Sequence, residues 1–321
     1  DSPDHGIAEF LEVPRFSTGF AALHHVIGFM PETHMLKPFA DRYASMRALL
    51  DITMAFTVQH GEQIRQLRAQ AKAAGRTQAE WPIHWAMNEE QPSTFPFKGY
   101  AARYTPSILG DYQRLSYDRS QPWERDIAYY NRFDADVTVA APKAYVVPQA
   151  WREVIERLRW NGVDMSRITA EQTVTARYYH INSVGTRATA YEGHMFHDTV
   201  ELEARTGEFT LQAGDYVVSL DQDNARYAVE TLEPQAHDSF FRWGFFNSVL
   251  EKKEAFSDYV FEDMASELLR DEPVLAAKFA DWKAANPALL SNQEAVLDFI
   301  FEHCQRFAEP EWRRYPVIAL M

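Results

Sequence analysis

Residues 14–38 read PRFSTGFAALHHVIGFMPETHMLKP. Small residues at Ser17, Thr18 and Gly19 predict a loop. The apolar run Val26, Ile27, Phe29 and Met30 predicts a short strand covered on both faces. Glu32 leaves that strand among apolar neighbours, where a carboxylate is costly unless it is paired or used. Burial there would lift its pKa toward the range of a general acid or base. His34, two residues on, would share its strand face, as an orienting partner or as a satisfied core histidine.

PRFSTGFAAL followed by GFMPETHMLKP resembles the last active-site segment of the zinc carboxypeptidases, the carboxypeptidase A-like metallopeptidases. In that family an aromatic and Ser/Gly-bearing loop precedes a strand that ends in the catalytic glutamate. The resemblance implies that Glu32 is the base that takes a proton from zinc-bound water and passes it to the leaving amine. It places Arg15, Phe16, Thr18 and Gly19 beside the pocket for a substrate's C-terminal residue. Guanidinium binds carboxylate bidentately, so Arg15 is a candidate for that carboxylate, with a structural arginine as the plainer role. The family's mobile tyrosine would fall near Phe16 or Phe20, and a phenyl ring lacks its hydroxyl. The family's zinc site also needs His-x-x-Glu and a distant second His, and none of the 11 His here is followed three residues later by Glu. The sequence opens at Asp1 rather than Met. The expectation is a C-terminal portion of a longer enzyme, with zinc in the parent, none in this chain, and no hydrolysis by this chain alone.

Composition narrows the classes. A chain of 321 residues with 46% hydrophobic and 24% charged residues is ordinary for a globular protein of about two domains. A formal charge of −14 without a basic stripe argues against nucleic acid and against anionic membrane surfaces. No run approaches about 20 apolar residues, so no membrane-spanning segment is expected. One cysteine, Cys304, excludes an internal disulfide and reads as a buried structural thiol. No signal peptide is visible, and the resemblance implies secretion or a periplasmic location.

Along the chain, Asp41 to Ala74 carries Tyr43, Met46, Leu49, Leu50, Phe56, Ile64 and Leu67 at helical spacing, with Gly75 as a stop. The resemblance then implies that residues 1–75 are the end of a carboxypeptidase-like α/β domain. Residues 76–142, rich in Pro and aromatics, read as an ordered but irregular connection with short strands. Residues 143–321 read as an α+β extension with an antiparallel sheet and C-terminal helices. Its expected elements are a strand at Ala144–Val147 and a helix burying Trp151, Val154, Ile155 and Leu158, closed by Asn161-Gly162. Strands follow at Thr173–Ile181 (Val174, Ala176, Tyr178 and His180 on one side) and Thr199–Ala204 (Val200, Leu202 and Ala204 inward). Thr206-Gly207 is expected to turn the chain into a strand at Glu208–Leu211, and Gly214 leads into Tyr216–Val218. Helices are expected at Asn224–Leu232, Phe245 to about Phe256, Glu262–Arg270 and from Pro273. A last helix, boxed by Ser291 and Glu294, carries Val296, Leu297, Ile300, Cys304 and Phe307. The motifs AYVVPQAWREVIERLRWNGV, AYEGHMFH and GDYVVSLDQDNARYAVETLEPQAHDSFFRWGFF resemble a C-terminal extension found on a bacterial branch of the same family.

Other candidates are weaker. His194 and His197 sit an odd number apart and point to opposite faces of a strand, which argues against a metal site with Glu192 and Asp198. His24-His25 diverges on any regular element. Glu233, His237, Asp238 and Ser239 hold the residue types of a triad, but triads assemble from separate elements, and capping explains them at less cost. Three functions compete: a zinc carboxypeptidase-like peptidase acting on peptide C-termini, a non-catalytic peptide- or glycan-binding module with an aromatic groove, and an unrelated hydrolase using paired carboxylates. With 8 Trp, 15 Tyr and 21 Phe, such a groove is available in principle, though core packing explains most of them. Oligomeric state is not legible in the sequence.

Overall fold

The computed structural model describes residues 2–251, 256–306 and 311–321. In chain order, β1 (Ile7–Ala8) precedes α1 (Ser17–Leu23) and a 38-residue α2 (Phe39–Arg76). Four longer strands follow: β2 (Glu80–Met87), β3 (Ser93–Pro106), β4 (Gln113–Tyr130) and β5 (Phe133–Ala140). Then come β6 (Ala144–Val147), α3 (Arg152–Trp160), β7 (Ser166–Arg167), β8 (Gln172–Thr186), β9 (His197–Leu211) and β10 (Tyr216–Ser219). Helices α4 (Ala225–Leu232), α5 (Asp258–Asp271), α6 (Pro273–Ala285) and α7 (Gln293–His303) lead to β11 (Ile318–Leu320). The chain is mixed α/β, with a sheet-rich middle and C-terminal helices, as the pattern predicts.

The centre is a six-stranded sheet in the order β7-β10-β6-β11-β8-β9, antiparallel at every junction. β6 is buried along its whole length because it lies between β10 and β11 and is covered on both faces. On one face Tyr145, Val147, Tyr179 and Ile181 meet α3 and α4 through Val154, Leu158, Ala228 and Leu232. On the other, Val146, Ala176, Leu211 and Ile318 form a smaller cluster. α3 buries Val154, Ile155 and Leu158 of the expected stripe, with Trp151 half-buried at its N-cap, and ends at Asn161. Gly162 follows at φ +71°, a left-handed conformation in which a Cβ is strained. A separate cluster joins α5, α6 and α7 around Phe261, Leu268, Leu275, Leu297 and Ile300, with Cys304 buried beside them.

Several expectations fail for stated reasons. Residues 26–30 form no strand: Val26, Ile27, Phe29 and Met30 are exposed, since no neighbouring strand pairs them and only Val26 and Gly28 touch α1. Residues 76–142 are regular rather than irregular, because β3 pairs with β4 from Ser93↔Tyr129 to Pro106↔Gln113 and β2 pairs with β5. Thr206-Gly207 is not a turn. β9 runs through it, Gly207 opposing Ala176 and taking the ring of Tyr178 where a side chain would stand. Val200 and Leu202 pack inward as expected, whereas Ala204 is exposed. After Phe245 only a 3₁₀ turn at Asn247–Leu250 forms, and residues 252–255 lie outside the described set. The last helix is capped one residue later than expected, Asn292 accepting from the Ala295 N–H, and Phe307 also lies outside the described residues. β11 went unforeseen, although it completes the sheet between β6 and β8.

Candidate functional site

The segment 14–38 approaches the sheet domain at its start and leaves it at its end. Ser17, Thr18 and Gly19 form the first turn of α1 instead of a loop. A Cβ at Gly19 would run into the carbonyl oxygens of Glu12 and Val13, so only glycine lets that earlier strand of chain pass so close. Thr18 donates its hydroxyl to Glu12, and Phe16 sets its ring edge-to-face on Phe10 at 4.7 Å. Leu23 carries the far end of α1 into the main core.

Arg15 is clamped. Its backbone N–H and its guanidinium each donate to the Asp238 carboxylate at 2.8 Å, and the guanidinium reaches the His237 carbonyl at 3.3 Å. The same guanidinium lies 4.4 Å from the ring centre of Phe196, 5.4 Å from Trp243 and 5.7 Å from Tyr191. With side-chain exposures of 14% and 4%, the pair is buried, and Arg15 works as a joint between the first residues and the sheet domain. Its charge is already answered.

Glu32 stands apart. It is exposed, lies on no strand and lines none of the cavities described below. The burial argument for its reactivity therefore does not hold within this chain. His34 is exposed too, its Nδ1 accepting from the Leu36 N–H at 3.2 Å, so it neither orients Glu32 across a strand nor packs in a core.

Two hollows of about 500 Å³ each meet at a wall made of Trp243 and Phe245. One is bounded by Trp151, Arg152, Glu153 and His194, at the start of α3. The other takes in Arg15, Phe16, Phe20, Arg157, Tyr191 and Tyr227. The plates are held rigidly: Trp243 donates its indole N–H to Asp238 at 3.1 Å, and the Arg157 guanidinium lies 4.4 Å from the Phe245 ring centre. His194 stands edge-on to Trp243 at 5.4 Å, on a tight turn where Glu192 and Gly193 both have positive φ. The structure thus joins Arg15 and Phe16 to residues some 200 positions away, while leaving Glu32 outside. In the sequence, the only signal for this wall was aromatic density around AYEGHMFH and FFRWGFF.

The remaining candidates resolve as structural. His197 is buried, its Nδ1 against Thr186 Oγ1 at 2.7 Å and its Nε2 against Asn247 Oδ1 at 2.8 Å, while His194 points elsewhere. Among the described residues, no three His, Cys, Asp or Glu side chains are placed to hold a metal ion, so those residues do not fit a zinc site. Glu233 takes a hydrogen bond from Tyr145 at 2.7 Å and one from Arg177 at 3.3 Å, and its burial pushes its pKa up. Ser239 donates to the Pro234 carbonyl and accepts from the Arg242 N–H, a capping role. His237 Nε2 accepts the Trp85 N–H at 2.9 Å, and its ring stacks on His84 at 3.8 Å. His84 in turn meets Asp136 at 2.7 Å. Burial, reinforced by His84, pushes the His237 pKa down to about 4.

Comparison with known proteins gives a distant but consistent relationship. The chain is similar to Carboxypeptidase 2 of Trichophyton tonsurans and of Trichophyton equinum, 31% identical in each case over 119 residues. That is 37% of this chain and 22% of each relative. Carboxypeptidase 2 of Trichophyton rubrum is 31% identical over 108 residues, 34% of this chain and 20% of that protein. The chain spans about a fifth of the length of the curated relatives it matches. No family model and no solved structure matches it. The similarity supports a carboxypeptidase-like relationship at a coarse level.

Proposed function

We propose that this chain takes part in carboxypeptidase-type peptide hydrolysis, supplying Glu32 and the Arg15–Gly19 segment to a site that residues outside this sequence complete. The observation that carries the reading is the 31% identity to fungal carboxypeptidases over 119 residues. Supporting it, the apolar side chains of residues 26–36 and of α2 lie uncovered, as one side of an interface would before its other side is in place. Since the described residues do not fit a zinc site, a catalytic metal would have to be held by that other part.

Within this chain Glu32 is an exposed carboxylate available to take and return a proton, and Arg15 holds the neighbouring turn of α1 through Asp238. The substrate class under this reading is a peptide with a free C-terminus. The test compares the 321-residue chain, the polypeptide encoded by the whole gene, and that polypeptide carrying Glu32→Gln, for release of C-terminal amino acids. The whole polypeptide is expected to cleave and to contain zinc, the 321-residue chain to do neither, and Glu32→Gln to lower kcat by roughly 10²–10⁴. Full activity in Glu32→Gln would remove Glu32 from the mechanism. An inactive whole polypeptide would remove peptide hydrolysis itself.

A further inference from the structure

We propose that the Trp243–Phe245 wall is a platform for a neutral oligosaccharide, with pyranose rings seated in the hollows on its two sides. The inference stands on the wall's own geometry and goes beyond the peptidase reading without resting on it.

The shape comes first. Two hollows of about 500 Å³ on one aromatic wall suit a ligand of repeating units rather than one compact molecule. The aromatic plates are fixed before any ligand arrives. Trp243 is pinned by Asp238 and flanked by Arg15, and Phe245 has Arg157 against it. Rigid plates lose little conformational freedom on binding.

The chemistry of the rim narrows the class. Arg152, Glu153, Arg157, Glu192 and His194 border the plates, so both signs of charge are present in near balance. A wholly apolar ligand would strip water from these groups without replacing its hydrogen bonds. An ion of either sign would meet as many like charges as opposite ones. A pyranose ring satisfies both parts at once: its C–H face lies on an aromatic plate, and its hydroxyls, radiating in the ring plane, both donate and accept.

A peptide is the rival occupant, and the backbone argues against it. Extended peptides are usually held by free main-chain groups along a sheet edge. Here none of the residues that line the two hollows lies on a strand of the sheets, and the N–H groups of Trp151, Arg152, Tyr191, His194, Gly244 and Phe245 are bonded to carbonyls of the chain itself. Recognition in this groove falls to side-chain faces and planar polar groups.

The test is titration of the 321-residue chain with cellotetraose, chitotetraose and maltotetraose, followed by tryptophan fluorescence and saturation-transfer NMR. At least one is expected to bind with Kd below about 1 mM, and Trp243→Ala to weaken it by about tenfold or more. Trp243 also holds Asp238, so its variant needs a melting curve. His194→Ala, at an exposed turn, and Arg157→Ala are the companions that leave the Asp238 contact intact. Both are expected to weaken binding with an unchanged melting temperature. No binding of any of the three at about 10 mM would overturn the proposal, as would binding that all three variants leave unaltered. A tetra-alanine peptide competing for the same site would overturn it in favour of the rival. Loss of peptidase activity in Glu32→Gln leaves these readouts untouched, so the two readings fail separately.

Discussion

Asp238 gathers more of this molecule than any residue singled out for chemistry. It accepts the Arg15 backbone and guanidinium and the Trp243 indole, tying residues 14–16 to the loop after α4. Asp238→Ala would leave a buried guanidinium without its counter-charge, and is expected to cost about 3 kcal/mol in urea unfolding. His237, its neighbour, sets an acid limit. Its folded pKa is pushed from 6.5 to about 4, chiefly by burial. The neutral ring is therefore favoured by folding, and protonation breaks the acceptor role toward Trp85 while facing His84 and Arg242, with Asp136 only partly offsetting. By linkage, its contribution is complete above pH 6.5 and is lost as pH falls from 6.5 toward about 4. Urea midpoints measured across that window should fall in the wild type and fall less in His237→Gln. Neither role was legible in the sequence, because LEPQAHDSFF gives residue types while the partners lie on β2 and before α1.

At the scale of elements, what the sequence showed depended on whether a segment's partners were local. α3 was readable apart from its start, where Trp151 is the N-cap rather than part of the helix, because the rest of its stripe and its Asn161-Gly162 end are both within the segment. α7 was readable except for its ends: its cap is Asn292, and it stops at His303 with Cys304 as the C-cap. Asn292→Ala is expected to cost about 1 kcal/mol and to speed amide exchange in the first turn of α7, measured by hydrogen–deuterium exchange. The strand at 26–30 and the turn at Thr206-Gly207 misled for one shared reason. A strand exists only if another strand takes its hydrogen bonds, and β9 has β8 beside it whereas residues 26–30 have no partner strand. The β3–β4 ribbon was hidden in the same way, since its Pro and Gly residues read as breaks until their pairing was in view.

Across the whole molecule, burial is uneven. The six-stranded sheet and the helices α3 and α4 enclose the main core, but α2 buries only Gly75. It is held near its end by Lys72 and Arg76 on Asp223, while Val58 is 87% exposed and Phe29, in the preceding segment, 72%. Apolar area of this extent is unfavourable in water and drives association. The isolated chain is expected to self-associate with rising concentration in light scattering. Ile52→Glu with Val58→Glu is expected to restore a monomer without lowering the melting temperature. A monodisperse wild type would show that α2 needs no cover. Among the described residues no helix is long and apolar enough to cross a membrane.

The sequence by itself determined the mixed α/β class, the buried β6 and α3, the C-terminal helices and a similarity to fungal carboxypeptidases over about a third of the chain, since these rest on patterns local in the chain. Only the tertiary structure decided that Glu32 stands in solvent, that Arg15 is neutralised by Asp238, and that Trp243 and Phe245 divide a groove. Exposure, ion pairing and cavity shape are properties of what surrounds a side chain, and here those surroundings come from residues about two hundred positions away.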